Sequence, residues 1–302
     1  MTARTLSSRA FGRGLAGQAE ALARSVAPDV ATGPFYVVLR PDLPQEYQGG
    51  DGGALALTSR HLDLMLRPTL ERQRRWRGRG STILLDPVTI AADAGHRPRP
   101  SRRRVFPAVV IGVVLHELAH IVAAGPHDDN EPDPDLIQFG RLTLAADLTG
   151  TEAPTNGPGA VMPWRGHEWP FIRIALHLAH RAAESGTDVS ASDVFDARDY
   201  ELSPTSRYVA ALGDEPARLS GNAITAISRA PPSAAFVELW QADVSAWKLR
   251  HEITDETPMT LAACGRRNFT PTVAHDANTR QKGTDSDVEG TAQRTGIAAQ
   301  GS

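Results

Sequence analysis

Pro107-Ala-Val-Val-Ile-Gly-Val-Val-Leu-His116-Glu117-Leu-Ala-His120-Ile-Val-Ala-Ala124, closed by Gly125-Pro126, is the most legible stretch of the chain. Proline suits a first helical position because its missing amide has no partner to lose there, and Gly-Pro stops a helix. The spacing therefore predicts a helix from Pro107 to about Ala124. It is apolar nearly all round, where a surface helix would carry a polar stripe, so it belongs in a core. Working outward, Pro34 to Arg40 has the aromatic and β-branched density of a strand. Ser81 to Ile90 holds a second strand candidate, Thr82-Ile83-Leu84-Leu85. Helical periodicity predicts segments near 15–27, from about Ser59 until Pro68 stops or kinks it, at Phe171 to Ala183, and at Ser233 to Arg250. In the last of these Phe236, Trp240, Val244 and Trp247 recur at helical steps. The expected fold is α+β: a small sheet from segments near 35–40 and 82–90, packed on the 107–124 helix and the 171–183 helix.

Composition limits the function classes. In 302 residues, 41% are hydrophobic and 22% charged, an ordinary globular balance with enough apolar material for a sizeable core. The net charge of −3 (32 basic against 35 acidic) excludes a uniformly basic nucleic-acid coat and an acidic disordered chain. A single cysteine, Cys264, can make no internal disulfide and no multi-cysteine zinc site, which points to a reducing, cytoplasmic setting. Arg4, Arg9, Arg13 and Arg24 stud the first residues, where no apolar run of secretory length occurs. The longest apolar run, Val105 to Leu115, is about half a membrane span. Expected boundaries are an N-terminal arm or helix over 1–32, a main domain over 33–252 and a disordered tail over 253–302. Residues 126–163 read as a long loop with a short ordered stretch around Leu136 to Leu148.

His116-Glu117-Leu118-Ala119-His120 is an HExxH pattern. Residues four apart on a helix share a face, so His116 and His120 can present ring nitrogens to one zinc ion, with Glu117 beside them. Three protein ligands and an open fourth position make a catalytic zinc site, in which zinc-activated water attacks a carbonyl with Glu117 as general base and later acid. Without a metal, two histidines and a glutamate on a buried helix would be a costly set of desolvated groups.

The third ligand lies elsewhere. A metzincin would need glycine at 123 and histidine at 126, and those positions hold Ala123 and Pro126. Downstream, Trp164-Arg165-Gly166-His167-Glu168-Trp169-Pro170-Phe171 runs into a helix. This resembles the second motif of SprT-like (Spartan-type) zincins, in which a histidine follows the HExxH helix after a loop and a phenylalanine four residues on begins a helix. The resemblance implies a zincin-like fold, a zinc metallopeptidase and His167 as third zinc ligand. It covers His116 to His120 and His167 with Phe171. The chain departs from the family in carrying Glu168 where glycine is usual, and its lone cysteine excludes the zinc ribbon of many members. His127, Asp128, Glu168 and Glu184 stay open as alternative ligands.

His177 and His180 could serve a second metal or orient ligands, though a periodic helix alone accounts for them. Tyr200 and Tyr208 are candidate oxyanion donors whose plain reading is core or loop. Ten arginines against Asp86 and Asp93 give residues 72–104 a local balance of +8: Arg72, Arg74, Arg75, Arg77, Arg79, Arg97, Arg99, Arg102, Arg103 and Arg104. With Trp76 interleaved, that segment is a candidate nucleic-acid surface. The acidic run Asp128, Asp129, Glu131, Asp133 and Asp135 could instead neutralise it. The expectation is a peptide-bond hydrolase. The alternatives are hydrolysis of a non-peptide amide, a zinc-containing or metal-free binding module acting through Arg72 to Arg104, and a fortuitous pattern in a helical scaffold.

Overall fold

Five consecutive buried residues, Phe35-Tyr36-Val37-Val38-Leu39, form strand β1 (Phe35–Leu39), and a strand buried on both faces needs a core on each side. The computed structural model describes residues 8–47, 55–59, 61–96, 105–125, 162 and 164–251, with isolated positions between 134 and 148. Two further strands, β2 (Ala56–Thr58) and β3 (Ser81–Leu85), complete a sheet of order β1-β3-β2. β1 and β3 run parallel, with Phe35 opposite Ser81 and Leu39 opposite Leu85, while β2 lies antiparallel with Thr58 opposite Ile83. Alternation divides the strands between two cores. Phe35, Val37, Leu39, Ile83 and Leu85 enter the main core, whereas Tyr36, Val38 and Leu84 enter a smaller one.

The main core is closed by helices α1 (Ser8–Val26), α3 (Pro87–His96), α4 (Val105–Ala124) and α5 (Trp169–Glu184). The smaller one is closed by α2 (Leu62–Arg72), through Leu62, Met65, Leu66 and Leu70, together with Leu144 and Leu148. Short helices α6 (Ala191–Val194), α7 (Thr205–Leu212), α8 (Glu215–Arg218) and α9 (Ile224–Arg229) lead to α10 (Ala234–Arg250). The architecture is α+β. Among the described residues no helix is long and apolar enough to cross a membrane.

The second strand segment stops short of expectation. Thr82 to Leu85 is strand, as expected of a run closed by Asp86-Pro87, and the residues from Pro87 to Ile90 that the sheet segment near 82–90 also took in belong to α3. Asp86 causes the change: its carboxylate accepts from the Val88 and Thr89 amides and the Thr89 hydroxyl, and Pro87 stands at the first helical position. Pro68 does not stop α2, which runs on to Arg72. Proline removes the amide that would have met the Leu64 carbonyl, and the Arg141 guanidinium donates to that carbonyl instead. The stretch from 253 onward lies outside the described residues, as do Arg97 to Arg104 and the acidic run from Asp128 to Asp133 with Asp135.

Buried ions hold the corners. Arg40 and Asp86 pair at 2.7 Å with both side chains nearly inaccessible, and Arg40 also donates to the Tyr47 and Leu148 carbonyls. Removing one partner of such a pair strands a buried charge. Asp86→Ala should therefore lower unfolding free energy by about 3–5 kcal/mol in urea titration, and Asp86→Asn, which keeps an acceptor at the start of α3, by less.

Candidate metal centre

α4 packs along α5, and the two helices carry the site between them. His116, Glu117 and His120 lie on α4, and His167 lies in the turn that leads into α5. That turn has three causes. Gly166 has φ 81°, a left-handed conformation that glycine adopts at no steric cost. Trp164 is buried edge-on to Trp240 and Trp247 of α10, with ring centroids 5.6 and 5.0 Å apart, so the turn is nailed to the far helix. The Trp164 carbonyl accepts from the His167 amide.

The three imidazoles converge. His116 Nε2 is 3.1 Å from His167 Nε2 and 3.2 Å from His120 Nε2, and one ligand atom from each ring lies within 4.8 Å of the others. A tetrahedral zinc with nitrogens at about 2.0–2.1 Å would set those nitrogens about 3.3–3.4 Å apart, so the donor set fits such an ion. His116 Nδ1 lies 2.9 Å from the Val194 carbonyl. A carbonyl can only accept, so Nδ1 carries the proton and Nε2 presents a lone pair toward the other two rings. Burial, then the neighbouring His116 and His167, hold His120 well below the ordinary histidine range, in its neutral, ligand-competent form. Glu117 is buried, and desolvation pushes its carboxyl up to about 8. A cation nearby would pull it down again.

Phe171 floors the group. Its ring centroid lies 4.8 Å from His116, 4.3 Å from His120 and 4.7 Å from His167, stacked on His120 and edge-on to His167. Tyr200, read from the sequence as core or loop, is buried with its ring 4.7 Å from that of His167 and stacked 5.2 Å from Phe195. Phe195 and the Val194 carbonyl carry no sequence signal of their own, because they reach the site only through the tertiary path of the chain.

The remaining candidates go elsewhere. Glu168 is exposed at the N-terminal cap of α5, and Glu184 pairs with His180 at 3.2 Å, also at the surface. Neither joins the three histidines among the described residues; His127 and Asp128 lie outside those residues. His177 is buried away from the histidine group, with Nε2 2.9 Å from Glu215, which also pairs with Arg173 at 2.7 Å. Tyr208 donates to Asp243 at 2.7 Å, tying α7 to α10. Of the arginines, Arg75 pairs with Glu20 and Arg79 with Asp63, and Arg72 donates to the Asp42 carbonyl. No protein-family profile, no curated protein and no solved structure matches the chain.

The ion cluster behind α5 makes stability depend on pH. Burial holds His177 below its ordinary 6.5, against the pull of Glu215. Burial would raise Glu215, but hydrogen bonds from His177 and Arg173 outweigh it and hold the carboxyl below its ordinary 4.5. Both folded-state values are depressed, so the unfolded chain takes up protons first on acidification, and stability is lost below the unfolded values, His177 first. Between about pH 7.5 and about pH 5.5 the urea midpoint of the wild type should fall relative to that of His177→Gln.

Proposed function

We propose that the protein is a zinc metallopeptidase, with His116, His120 and His167 as metal ligands and Glu117 as general base. The observation that carries the reading is the convergence of three histidine ring nitrogens, on α4 and on the turn 51 residues further along the chain, with both spacings from His116 Nε2 close to the edge of a zinc tetrahedron and all three within 4.8 Å. Imidazole donors suit zinc among the available divalent ions, and the HExxH spacing on one helical turn puts a carboxylate next to two of them. When bound, zinc supplies Lewis acidity toward a water molecule and the carbonyl to be cleaved.

The chain's own residues do the rest. Glu117 takes a proton from the attacking water and returns it to the leaving amine. Its placement supports this role, because Glu117 follows His116 on α4 and is buried beside the two histidines of that helix. The Val194 carbonyl keeps the His116 proton on Nδ1, and Phe171 excludes water from beneath the three rings. The reading extends to a zincin of the SprT-like kind, supported by Phe171, whose place in the family's motif is here a place against all three rings. A cytoplasmic setting belongs to the same proposal and rests on the single cysteine.

The second reading, a nucleic-acid module on Arg72 to Arg104, has less behind it. Arg75 and Arg79 spend their charge on Glu20 and Asp63.

Elemental analysis and a peptidase assay on an unfolded protein substrate separate the possibilities. About one zinc per chain is expected in the wild type and lost in His116→Ala and His167→Ala. Glu117→Gln should keep its zinc while hydrolysis drops by about 10²–10⁴-fold. A wild type that holds no zinc after reloading overturns the proposal. Zinc that is retained without hydrolysis reduces it to a structural site, whose histidine variants would lose folding stability instead.

A further inference from the structure

Residues 190–200 wrap two of the three candidate ligands. Ser190 and Asp193 make a reciprocal capping box, the Asp193 carboxylate accepting from the Ser190 amide and hydroxyl at 2.7 Å, and this winds α6. The turn ends with the Val194 carbonyl on His116 Nδ1. The next residue, Phe195, meets Phe171 edge-on at 5.9 Å and stacks on Tyr200, and Tyr200 lies against His167. With His167 and Phe171 4.7 Å apart, these four rings form a closed circuit. The Thr205 hydroxyl pins the segment from outside, donating to the Phe195 carbonyl at 2.8 Å and accepting from the Ala197 amide.

The segment also meets α4 one turn before His116. A Cβ on Gly112 would stand 2.2 Å from the Asp193 carbonyl oxygen and 2.8 Å from its carbon, a backbone contact that no rotamer change could relieve. Gly112 precedes His116 by one helical turn on the same face. The missing side chain is therefore what lets the 190–195 turn sit low enough on α4 for its carbonyl to meet the ring above.

We propose that residues 190–200 are an orienting collar for the histidine group and that Gly112 is the positioning residue that seats it. The inference rests on the metal-site reading and adds to it: the collar fixes the tautomer and ring plane of His116 and holds His167 from its far side. Groups that orient a ligating histidine through its second nitrogen typically contribute about 10–100-fold to metal affinity.

The test is chelator-competition titration of the metal-free full chain with Zn²⁺ and with Co²⁺, whose visible spectrum reports ligand geometry. Gly112→Ala should bind about 10–100-fold more weakly and change the Co²⁺ spectrum. Thr205→Val, which removes the pin but not the bulk, should weaken binding in the same direction and keep the question open to decision should Gly112→Ala not fold. Thr205→Ser should restore wild-type affinity. Tyr208→Phe, which cuts the Asp243 bond that ties α7 to α10, is the control for general loosening: its unfolding midpoint should drop with affinity unchanged. Wild-type affinity and spectrum in Thr205→Val and in any folded Gly112→Ala overturn the collar alone. A wild type that binds neither metal overturns the metal site and the collar together.

Discussion

Three imidazoles, two of them buried and that of His116 half-buried, and a buried carboxyl meet where an almost wholly apolar helix joins its neighbour, and the rest of the structure answers to that constraint. Polar groups taken out of water cost several kcal/mol each unless they are satisfied. Here the polar groups are gathered and aimed at one point. One nitrogen of His116 faces a backbone carbonyl, the other faces the Nε2 atoms of His120 and His167, and a phenylalanine ring closes the underside. The apolar length of α4 is the complement of this: Val109, Val110, Val113, Val114, Leu115, Leu118 and Val122 bury the helix so completely that its polar face can be only as wide as the site.

Rigidity behind the site comes from a second, separate set of polar groups. The far side of α5 carries Arg173 and His177, both committed to Glu215 of α8, and Arg173 also donates to carbonyls at the end of α9. Arg181, one turn on from His177, donates to the last carbonyl of α1 and to the Leu219 and Asn222 carbonyls. Asp29 accepts from the first amides of α9. Each bond ties an element remote in sequence to α5 or its supports. Buried charges held this way are weak sources of net stability, but they fix one arrangement, because any shift would strand an ion. A helix that must hold Phe171 against three rings gains from that fixity.

The candidate site was half legible in the chain. HExxH on a punctuated apolar helix needs only helical geometry to place His116, Glu117 and His120 on one surface, and local periodicity carries that information. His167 entered only by resemblance, since nothing local distinguishes a ligand from a histidine capping the next helix. Its place is set by Gly166, by the Trp164 anchor on Trp240 and Trp247, and by α5 lying along α4. The face of Phe236, Trp240, Val244 and Trp247 was visible as a helical stripe, but its partner was not. The helix after Asp86 was missed because an apolar run of that length suits a strand or a buried helix equally, and only the capping bonds of Asp86 decide between them.

The chain by itself determined the elements whose cause is local: the α4 helix with its two histidines one turn apart, the strand at Phe35 to Leu39, the periodic helices, and an ordinary globular balance with one cysteine. Tertiary structure alone decided which third histidine meets the pair, that Tyr200 and Phe195 stand beside the site while Tyr208 and His177 do not, and that Arg75 and Arg79 turn inward to Glu20 and Asp63. The physical reason is range. Helical spacing and capping act over a few residues, whereas the 51 residues between His116 and His167 and the 78 between His116 and Val194 are bridged only by the packing of whole elements.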